Sequence, residues 1–414
     1  LSITLSFRLA QALPLDMQYV LYDRRQAAMM VLYHLIFLVP FLFGAGVIGL
    51  TLMHFTERVH MVYAANLLGS GAGGLWMLLM MHFMPEVRLL QAAAALGLVA
   101  TLVWVAHAAA QAPPERRRRT AGVLGAAVFV AAALLLLLGA LLPIRLRIDQ
   151  YKGLAFVQRL ERQDDATRVL TTHGPRARLD IYESPRFHDT LFAGFTALTV
   201  TAPPQLKIYA DGSGAGTVFK INSADEAPIL DHTLPGAAYR LVERPRVLLL
   251  GETGGANVWL ALRRGASHIT VVQRNPQYLD VLRGPLADVA GHVLEQDGVE
   301  AVAQDPRLYL ERTDQQFDVI QLVRAEGMAA GSSGLLSLHE DYLLTREGFA
   351  LCLRRLRPGG VMTVTRGIQS PPRDNIKLLV TLATALESLG VEQPGLHVAQ
   401  VRNYLAVTTL ASPE

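Results

Sequence analysis

The chain has 414 residues, of which 51% are apolar and 18% charged, and its formal net charge is +3. Soluble domains are about 25% charged, so the composition excludes a wholly soluble protein. It also excludes a disordered chain, and the single cysteine excludes a disulfide scaffold. Such a small net charge provides no concentrated basic face, so no nucleic-acid partner is expected.

Charged residues are unevenly distributed along the chain. Only 14 of the 73 Asp, Glu, Lys and Arg residues lie within residues 1–143. We therefore expect an α-helical transmembrane region there, with the lipid bilayer as its partner. A helix that crosses the hydrocarbon layer needs about 20 mainly apolar residues. The short apolar stretch 1–15 is interpreted as the end of a preceding helix in a truncated N-terminus. Four segments meet the length requirement: 27–54, 62–84, 89–110 and 121–143.

The second predicted span contains a run of small residues. Gly69 and Gly73 form a GxxxG pattern, and Ser70 and Gly74 repeat its spacing. Small side chains allow two helices to approach closely. The run favours packing inside the helix bundle. The alternative is a contact with a second copy of the chain or with a membrane protein complex.

Arginines near the spans do not settle the orientation. The run at 116–119 favours a cytoplasmic loop, whereas Arg145, Arg147 and Lys152 favour a cytoplasmic position for the part that follows. Only one predicted span separates these two groups, so both cannot lie on the same side. Our hypothesis is an integral protein of the bacterial inner membrane whose soluble part is cytoplasmic, because the cofactor inferred below is intracellular.

Residues 144–243 are predicted to form a small β-rich domain. Short runs of β-branched and aromatic residues alternate there with turns rich in Pro and Gly. The predicted strands cover 167–171, 178–182, 196–200, 206–209 and 217–221.

Residues 244–414 alternate strands with helices, which is typical of an α/β Rossmann-like domain built on a mostly parallel sheet. Ligands of such folds bind beyond the carboxyl ends of the strands. An antiparallel pair is predicted from 398–401 and 404–409. The other predicted strands are 246–250, 268–272, 300–302, 317–322 and 361–365, and the later predicted helices are 339–356 and 374–389.

The first strand of this domain ends in the glycine-rich turn GETGG at 251–255. Glycine lets the backbone turn sharply and approach a ligand, and the following helix N-terminus favours polar or anionic groups. The second strand ends where nucleoside-binding folds usually place an acid that accepts both ribose hydroxyl groups, and here Gln273 or Asn275 takes that place. These features favour a site for a nucleoside cofactor. The alternative is a structural remnant of such a site. The candidate cofactor-binding residues here are Gly251, Thr253, Gly254, Gly255, Gln273 and Asn275.

Several short segments between residues 150 and 410 form an ordered series. They are YKGL at 151–154, RLDIYES at 178–184, YADG at 209–212, PRVLLLGETGG at 245–255, QDPRLY at 304–309, FDVIQL at 317–322, LHEDYLLT at 338–345 and PGGVMTVTR at 358–366. In order and spacing the series resembles the spermidine synthase (polyamine aminopropyltransferase) family. With YAANLLGSGAGG at 63–74, it is most similar to the bacterial branch in which membrane spans precede a synthase-like domain.

The resemblance implies a class I methyltransferase-type fold that binds S-adenosylmethionine or decarboxylated S-adenosylmethionine. It implies that Gly251, Gly254 and Gly255 lie along this donor. It also implies that Gln273 stands in the place of the ribose-binding acid and that Asp305 faces the adenine amino group.

The acceptor side departs from the family pattern. In the family an Asp-Ser-x-Asp motif follows the fourth strand and accepts the proton of the attacking amine. Here Val323 replaces the first acid, Arg324 adds a positive charge that opposes a diamine, and Glu326 is the candidate catalytic base. The alternative for Glu326 is a solvated loop acid. Putrescine is therefore not expected to be a good substrate.

Other candidate residues rest on weaker patterns. Four acids lie where the family binds its amine substrate, and a plain charged surface is the alternative reading of them. The sequence has no HExxH motif and no cysteine pair, so no metal is expected. Cys352 is interpreted as a buried apolar residue. The candidate substrate-binding acids are Asp211, Asp225, Glu226 and Asp231.

Two functions follow from these patterns. The first is a membrane-anchored, spermidine-synthase-like transferase that uses an S-adenosylmethionine-type nucleoside, and a methyltransferase on the same fold is a variant of it. The second is a catalytically silent subunit with the same fold and a structural role in a membrane complex. The replacement of an acid at Gln273 and at Val323 keeps the second function open.

Overall fold

The computed structural model describes residues 2–111, 113, 122–123, 125–130, 132–133, 146–188, 192–323, 342–368 and 371–414. Most of the predicted span 121–143 lies outside these residues, as does Glu326. The chain divides into two units. The first comprises Leu1–Ile148 with His173–Pro175, and the second comprises Asp149–Thr172 with Arg176–Glu414.

Long apolar helices make up the first unit. Asp23 caps the second of them by accepting a hydrogen bond from the Arg25 N–H at 2.8 Å, and this helix continues through Pro40. The stretches Arg24–His54, Thr56–Met80 and Glu86–His107 are long and apolar enough to cross a membrane, in agreement with the first three predicted spans. The helices are α1 (Ser2–Ala12), α2 (Arg24–His54), α3 (Val59–Met80) and α4 (Glu86–Gln111).

The side chains of α2 and α3 lie on the outside of the described structure. In the described part of the chain neither helix contains a buried residue. At Gly69 and Gly73 an added Cβ would meet no described atom within 4 Å. The described residues therefore show no close helix packing at the predicted small-residue run.

The second unit begins with helix α5 (Gly153–Glu161) and an antiparallel sheet in the order β1-β2-β3-β4. These strands overlap four of the five predicted ones. The prediction of a strand at 196–200 is wrong, because Phe195–Thr199 forms a 3-10 helix. Pro203 and Pro204 follow this segment, and neither has an N–H group to donate to a neighbouring strand. The strands are β1 (Thr167–Thr172), β2 (Leu179–Glu183), β3 (Gln205–Ala210) and β4 (Ser213–Phe219).

A seven-stranded sheet follows, in the order β10-β11-β9-β8-β5-β6-β7. Strands β5 to β9 are parallel, and the predicted antiparallel pair is confirmed as β10 and β11. This is the strand order of class I methyltransferase-type folds. The elements are β5 (Arg246–Leu250), α6 (Ala256–Arg263), β6 (His268–Gln273), α7 (Pro276–Arg283), β7 (Val299–Ala303), α8 (Pro306–Arg312), β8 (Phe317–Leu322), α9 (Arg346–Arg354), β9 (Leu356–Gly367), α10 (Arg373–Ser388), β10 (Val398–Arg402) and β11 (Ala406–Ala411).

Helix α9 is shorter than the predicted helix 339–356. It begins after Thr345, whose hydroxyl accepts the Gly348 N–H at 3.1 Å and so caps the helix. It ends at Arg354 because Leu356 already belongs to β9. The prediction was therefore wrong over 342–345 and at its C-terminal end.

Successive residues of the central strand β5 face opposite layers. Val247 and Leu249 pack in one cluster with Trp259 of α6, and Leu248 packs in the other with Phe349 of α9. Burial of one such side chain stabilises a fold by about 1.5–3 kcal/mol. Helices thus cover both faces of the sheet, as predicted, and the carboxyl ends of β5, β6 and β7 are left side by side at one edge.

Candidate functional site

The glycine turn after β5 has the backbone geometry that its sequence predicts. Gly251 and Gly255 have φ values of +89° and +82°, in the left-handed region that favours glycine. Gly255 then precedes the first residue of α6. The turn therefore brings the N-terminus of a helix to the carboxyl edge of the sheet.

A buried carboxylate inside this turn was not predicted. One oxygen of Glu252 accepts the N–H groups of Thr253, Gly254 and Gly255 at 2.8–2.9 Å. Its other oxygen accepts the N–H of Asn257 at 3.3 Å and the Nδ2 of the same residue at 2.8 Å. Glu252 is only 2% exposed. An acid in the turn before a helix, three residues ahead of the N-cap Gly255, was the available sequence signal for such a cap.

A chain of side-chain hydrogen bonds extends from Glu252 into the core. Asn257 Oδ1 accepts from Gln321 Nε2 at 2.7 Å, and Gln321 Oε1 accepts from the Tyr239 hydroxyl at 2.9 Å. Burial first, and the charge of Glu252 second, raise the pKa of Tyr239 well above its ordinary value. The Tyr239 hydroxyl therefore keeps its proton and donates it to Gln321 at the end of this hydrogen-bond series.

Strand β4 of the four-stranded sheet contacts the glycine turn and supports it. The hydroxyl of Thr253 donates to the carbonyl oxygen of Ala215 at 2.7 Å. A Cβ at Gly254 would overlap the backbone of Thr217. Thr253 and Gly254, both predicted as cofactor-binding residues, thus connect the turn to β4.

Gln273 and Asn275 lie at the end of β6, as predicted, and both are buried. Gln273 Nε2 donates to the Glu252 carbonyl oxygen at 2.5 Å, and its Oε1 accepts the Asn275 N–H at 2.9 Å. Asn275 caps α7 by accepting the Gln277 N–H at 3.2 Å. The amide of Gln273 is thus hydrogen-bonded to backbone at both of its ends.

Asp305 follows β7 and caps α8. Its Oδ1 accepts the N–H groups of Arg307 and Leu308 at 3.0 and 3.3 Å. Its Oδ2 lies 3.6 Å from Arg274 Nε, and the side chain is 44% exposed. The half-exposed carboxylate of Asp305 thus both caps α8 and lies beside Arg274.

The predicted substrate-binding acids have structural partners. Asp231 forms ion pairs with Arg263 and Arg264 at 2.7 and 3.1 Å. Asp225 lies 3.4 Å from Arg263, and its side chain is 95% exposed. Glu226 accepts the N–H of Asn222 at 3.1 Å.

The fourth acid, Asp211, lies in the turn between β3 and β4. It accepts the Arg178 N–H at 3.0 Å. The structure thus brings Asp225 and Asp231 to a common arginine, Arg263, and gives Asp211 a role in a hairpin turn.

Strand β8 leads toward the predicted acceptor site. Val323, which follows it, is buried and apolar, and the predicted base Glu326 lies outside the described residues. Cys352 is buried in α9 as predicted, and burial raises the pKa of its thiol to about 12. Within the described part of the chain no group of three or more His, Cys, Asp or Glu residues could hold a metal ion.

The strand order and the polar edge define an α/β fold of the class I methyltransferase type. No family model matches the chain. Over 161 residues the sequence is 29% identical to polyamine aminopropyltransferase 2 of Hyperthermus butylicus, with 38% of this chain and 49% of that protein covered. The chain thus spans about half the length of this relative. The similarity supports a relationship to the spermidine synthase family for the part that it covers.

Solved spermidine synthases align with 60% of the chain. The enzyme of Thermotoga maritima aligns at 14% identity and a TM-score of 0.39, with 73% of that chain covered. A spermidine synthase bound to the transition-state analogue AdoDATO aligns at 16% identity and a TM-score of 0.38, with 72% of that chain covered. A probable spermidine synthase of Corynebacterium glutamicum aligns at 16% identity and a TM-score of 0.37, with 80% of that chain covered. At these identities and scores the alignments support no conclusion about function.

Proposed function

We propose that the chain is a membrane-anchored, spermidine-synthase-like transferase that binds an S-adenosylmethionine-type nucleoside at the carboxyl edge of its seven-stranded sheet. The observation that carries the proposal is that the glycine turn, Gln273 and Asp305 follow three adjacent strands, β5, β6 and β7. Such an edge supplies hydrogen-bonding groups for ribose hydroxyls and for an adenine amino group. The similarity to an aminopropyltransferase points to the same class of reaction.

The proposed roles follow the positions of the residues along this edge. The turn residues Gly251, Thr253, Gly254 and Gly255 line the nucleoside, Gln273 and Asn275 lie beside the ribose, and Asp305 accepts from the adenine amino group. The 44% exposure of the Asp305 side chain supports this last role, in which the amino group would share the carboxylate with Arg274. The donor is S-adenosylmethionine or its decarboxylated form, and no metal is required.

The proposed reaction is a nucleophilic displacement. The acceptor attacks a carbon bonded to the sulfonium, the carbon–sulfur bond breaks, and Glu326 takes the proton of the acceptor. The apolar, buried Val323 cannot pair with a cationic diamine, so the proposed acceptor is not putrescine.

Among the four candidate substrate-binding acids, Asp231 is already paired with two arginines. The exposed Asp225 is therefore better placed to meet a cationic group of an acceptor.

The proposed anchoring rests on the apolar stretches of α2, α3 and α4. Their exposed apolar side chains require an apolar environment. We place the chain in the bacterial inner membrane with the second unit in the cytoplasm. A second copy or another membrane protein would contact the small-residue run of α3, which has open space around it within the described structure.

A catalytically silent subunit is the second candidate function, and one observation favours it. Gln273 uses both ends of its amide on the backbone of Glu252 and Asn275. It therefore stabilises the turn whether or not a ribose is present. An enzyme must use the remaining lone pair and N–H of this amide for the ligand.

Calorimetry on the detergent-purified chain tests the proposal. The titrants are S-adenosylmethionine, decarboxylated S-adenosylmethionine and methylthioadenosine. Saturable binding of any one of them supports the transferase. A folded chain that binds none of the three supports the silent subunit instead.

A further inference from the structure

We propose that the second unit binds the surface of an anionic lipid bilayer through the rim of its sheet at the carboxyl end of β9. This rim, here called the β9 rim, consists of Ile368, the first two turns of α10 and the segment 402–405, where β10 ends and the chain turns into β11. The inference rests on the membrane anchoring in the proposed function. It goes beyond that anchoring because it names a surface of the α/β fold that contacts lipid.

Hydrogen bonds hold the pieces of the β9 rim together. The Ile368 N–H donates to the Leu405 carbonyl oxygen at 2.8 Å, and Nδ2 of Asn375 in α10 donates to the Gly367 carbonyl oxygen at 3.3 Å. Strand β9 is parallel to β8, and β8 to β5, so the carboxyl end of β9 lies at the same edge of the sheet as the glycine turn. The rim is therefore one continuous surface on that edge.

Apolar side chains are exposed along this rim. The exposed fractions are 38% for Ile368, 54% for Ile376, 56% for Tyr404 and 51% for Leu405. Single exposed apolar residues are ordinary on a soluble surface, whereas several on one continuous rim indicate an interaction surface. Tyrosine, with an apolar ring and a polar hydroxyl group, is typical of the membrane–water interface.

Three cations accompany the apolar residues. Arg373 and Lys377 are exposed in the first two turns of α10, and Arg402 is exposed at the end of β10. In the part of the chain that the structure describes, none of these three side chains forms an ion pair. The nearby acid Asp374 approaches Arg366 instead, at 3.7 Å. The rim thus presents positive charge that is not neutralised by the described residues.

The exposed charge changes sign along α10. The basic end of this helix lies at the carboxyl end of β9, whereas Glu387 near its other end and Glu392 beyond it are exposed acids. A helix dipole favours the reverse arrangement, with acids at the N-terminus and cations at the C-terminus. The stability of α10 therefore does not account for Arg373, and an anionic partner outside the fold does.

A lipid bilayer fits both features of the β9 rim. Anionic headgroups pair with cations, and the acyl region beneath them takes up apolar side chains. A second copy of the chain fits less well, because a symmetric contact would place the same cations against each other. The spans α2, α3 and α4 also keep a bilayer at high local concentration in the proposed anchored chain.

The test measures lipid contact on the full chain reconstituted into nanodiscs. Leu405→Cys carries a bimane fluorophore, and Cys352 does not react because it is buried. Lipids with brominated acyl chains should quench this label at least about twofold more strongly in phosphatidylglycerol than in phosphatidylcholine, because each cation near an anionic surface strengthens binding about fivefold. Added salt should weaken the difference.

Leu396→Cys is the matched control. Leu396 is 81% exposed and precedes β10, so it lies at the opposite end of that strand from the β9 rim. Its label should not be quenched in either lipid. Replacing Arg373, Lys377 and Arg402 together by Gln should lower the quenching at position 405 in phosphatidylglycerol to the value in phosphatidylcholine, with the thermal unfolding temperature unchanged because all three residues are exposed.

Three results would overturn the proposal: equal quenching at positions 405 and 396, equal quenching at position 405 in the two lipids, or no effect of the three substitutions. A label at position 405 that is shielded from aqueous iodide but is not quenched by brominated lipid would also overturn it, and would assign the rim to a protein partner.

A second measurement applies if the chain does not insert, a result that would overturn the proposed anchoring itself. Flotation of the full chain with phosphatidylglycerol vesicles then reports on the β9 rim alone. The wild-type chain should float, and the variant with three Gln substitutions should bind roughly a hundredfold more weakly. Equal flotation of the two chains would overturn the role assigned to the rim.

Discussion

The two units of this chain place the same kinds of side chain in opposite environments. Phe349 and Trp259 of the second unit are almost completely buried, whereas Phe43 of α2 is 66% exposed. Within the described residues the second unit has its own hydrophobic core, whereas α2 and α3 contain no buried residue. The contrast shows that internal packing stabilises the α/β fold, whereas the apolar environment of α2 and α3 would come from the proposed membrane.

The largest expected effect is the retention of the chain in membranes. The full chain should remain in the pellet when membranes are washed with alkaline carbonate, because α2, α3 and α4 are long enough to span a bilayer. Replacing Val39 and Leu42, near the middle of α2, by Arg should reduce insertion, at about 2.5–3.5 kcal/mol for each charge. Recovery of the wild-type chain in the carbonate supernatant would contradict membrane anchoring.

A pair of identical substitutions sharpens the comparison of the two units. Phe349→Ala should lower the free energy of unfolding of the α/β unit by about 3–5 kcal/mol, because it leaves a cavity in a closed core. Phe43→Ala should change it by less than about 0.5 kcal/mol. Denaturant unfolding of the purified chain in detergent measures both, and similar losses for the two variants would show that the units do not differ in this way.

The glycine turn offers a smaller effect within the second unit. Gly254→Ala should destabilise it by about 2–3 kcal/mol, because the new Cβ overlaps the Thr217 backbone. The matched control is Gly265→Ala. Gly265 has a φ of +71° but open space around it, so its substitution should cost only about 1–2 kcal/mol. Thermal unfolding ranks the two variants, and the reverse order would mean that β4 does not support the turn.

The smallest effect is a pH dependence at the surface of the second unit. A hydrogen bond to Glu295, with further contributions from Asp288, raises the pKa of His292 above its ordinary value. The folded state therefore binds the proton more tightly than the unfolded state. The resulting stabilisation is complete below about pH 6.5, the unfolded value, and is lost as the pH rises through the folded value.

Substitution of His292 should remove this slope. His292→Gln should resemble wild type in stability above the folded pKa and should be slightly less stable than wild type below about pH 6. Because the ring is exposed to solvent, the difference should shrink in high salt. Parallel stability curves for the two chains across this range would rule out the contribution.

Much of the fold followed from local sequence signals. The buried run after Pro245, the glycine turn and the capped helices predict strand–turn–helix units, because each depends on neighbouring residues only. The strand predicted at 196–200 failed because pairing depends on a partner edge that the local pattern does not specify.

The candidate site was less predictable than the fold. The position of Gln273 at the end of β6 was found from the alternation of strands and helices, and that of Asp305 after β7 was implied by the family resemblance. The role of Glu252 was missed, because it requires four backbone N–H groups to converge and also requires Asn257 to meet Gln321, 64 positions along the chain. The Asn257–Gln321 contact follows from the strand order and not from any local pattern.

The central claim is that a nucleoside binds where β5, β6 and β7 end. Photoaffinity labelling with an azidoadenine derivative of methylthioadenosine tests it most directly on the full chain in detergent. We expect unmodified methylthioadenosine to compete with the label, and the labelled peptides to come from 251–257, 273–277 or 304–309. Saturable labelling confined to other peptides, or labelling that methylthioadenosine does not reduce, would contradict the claim.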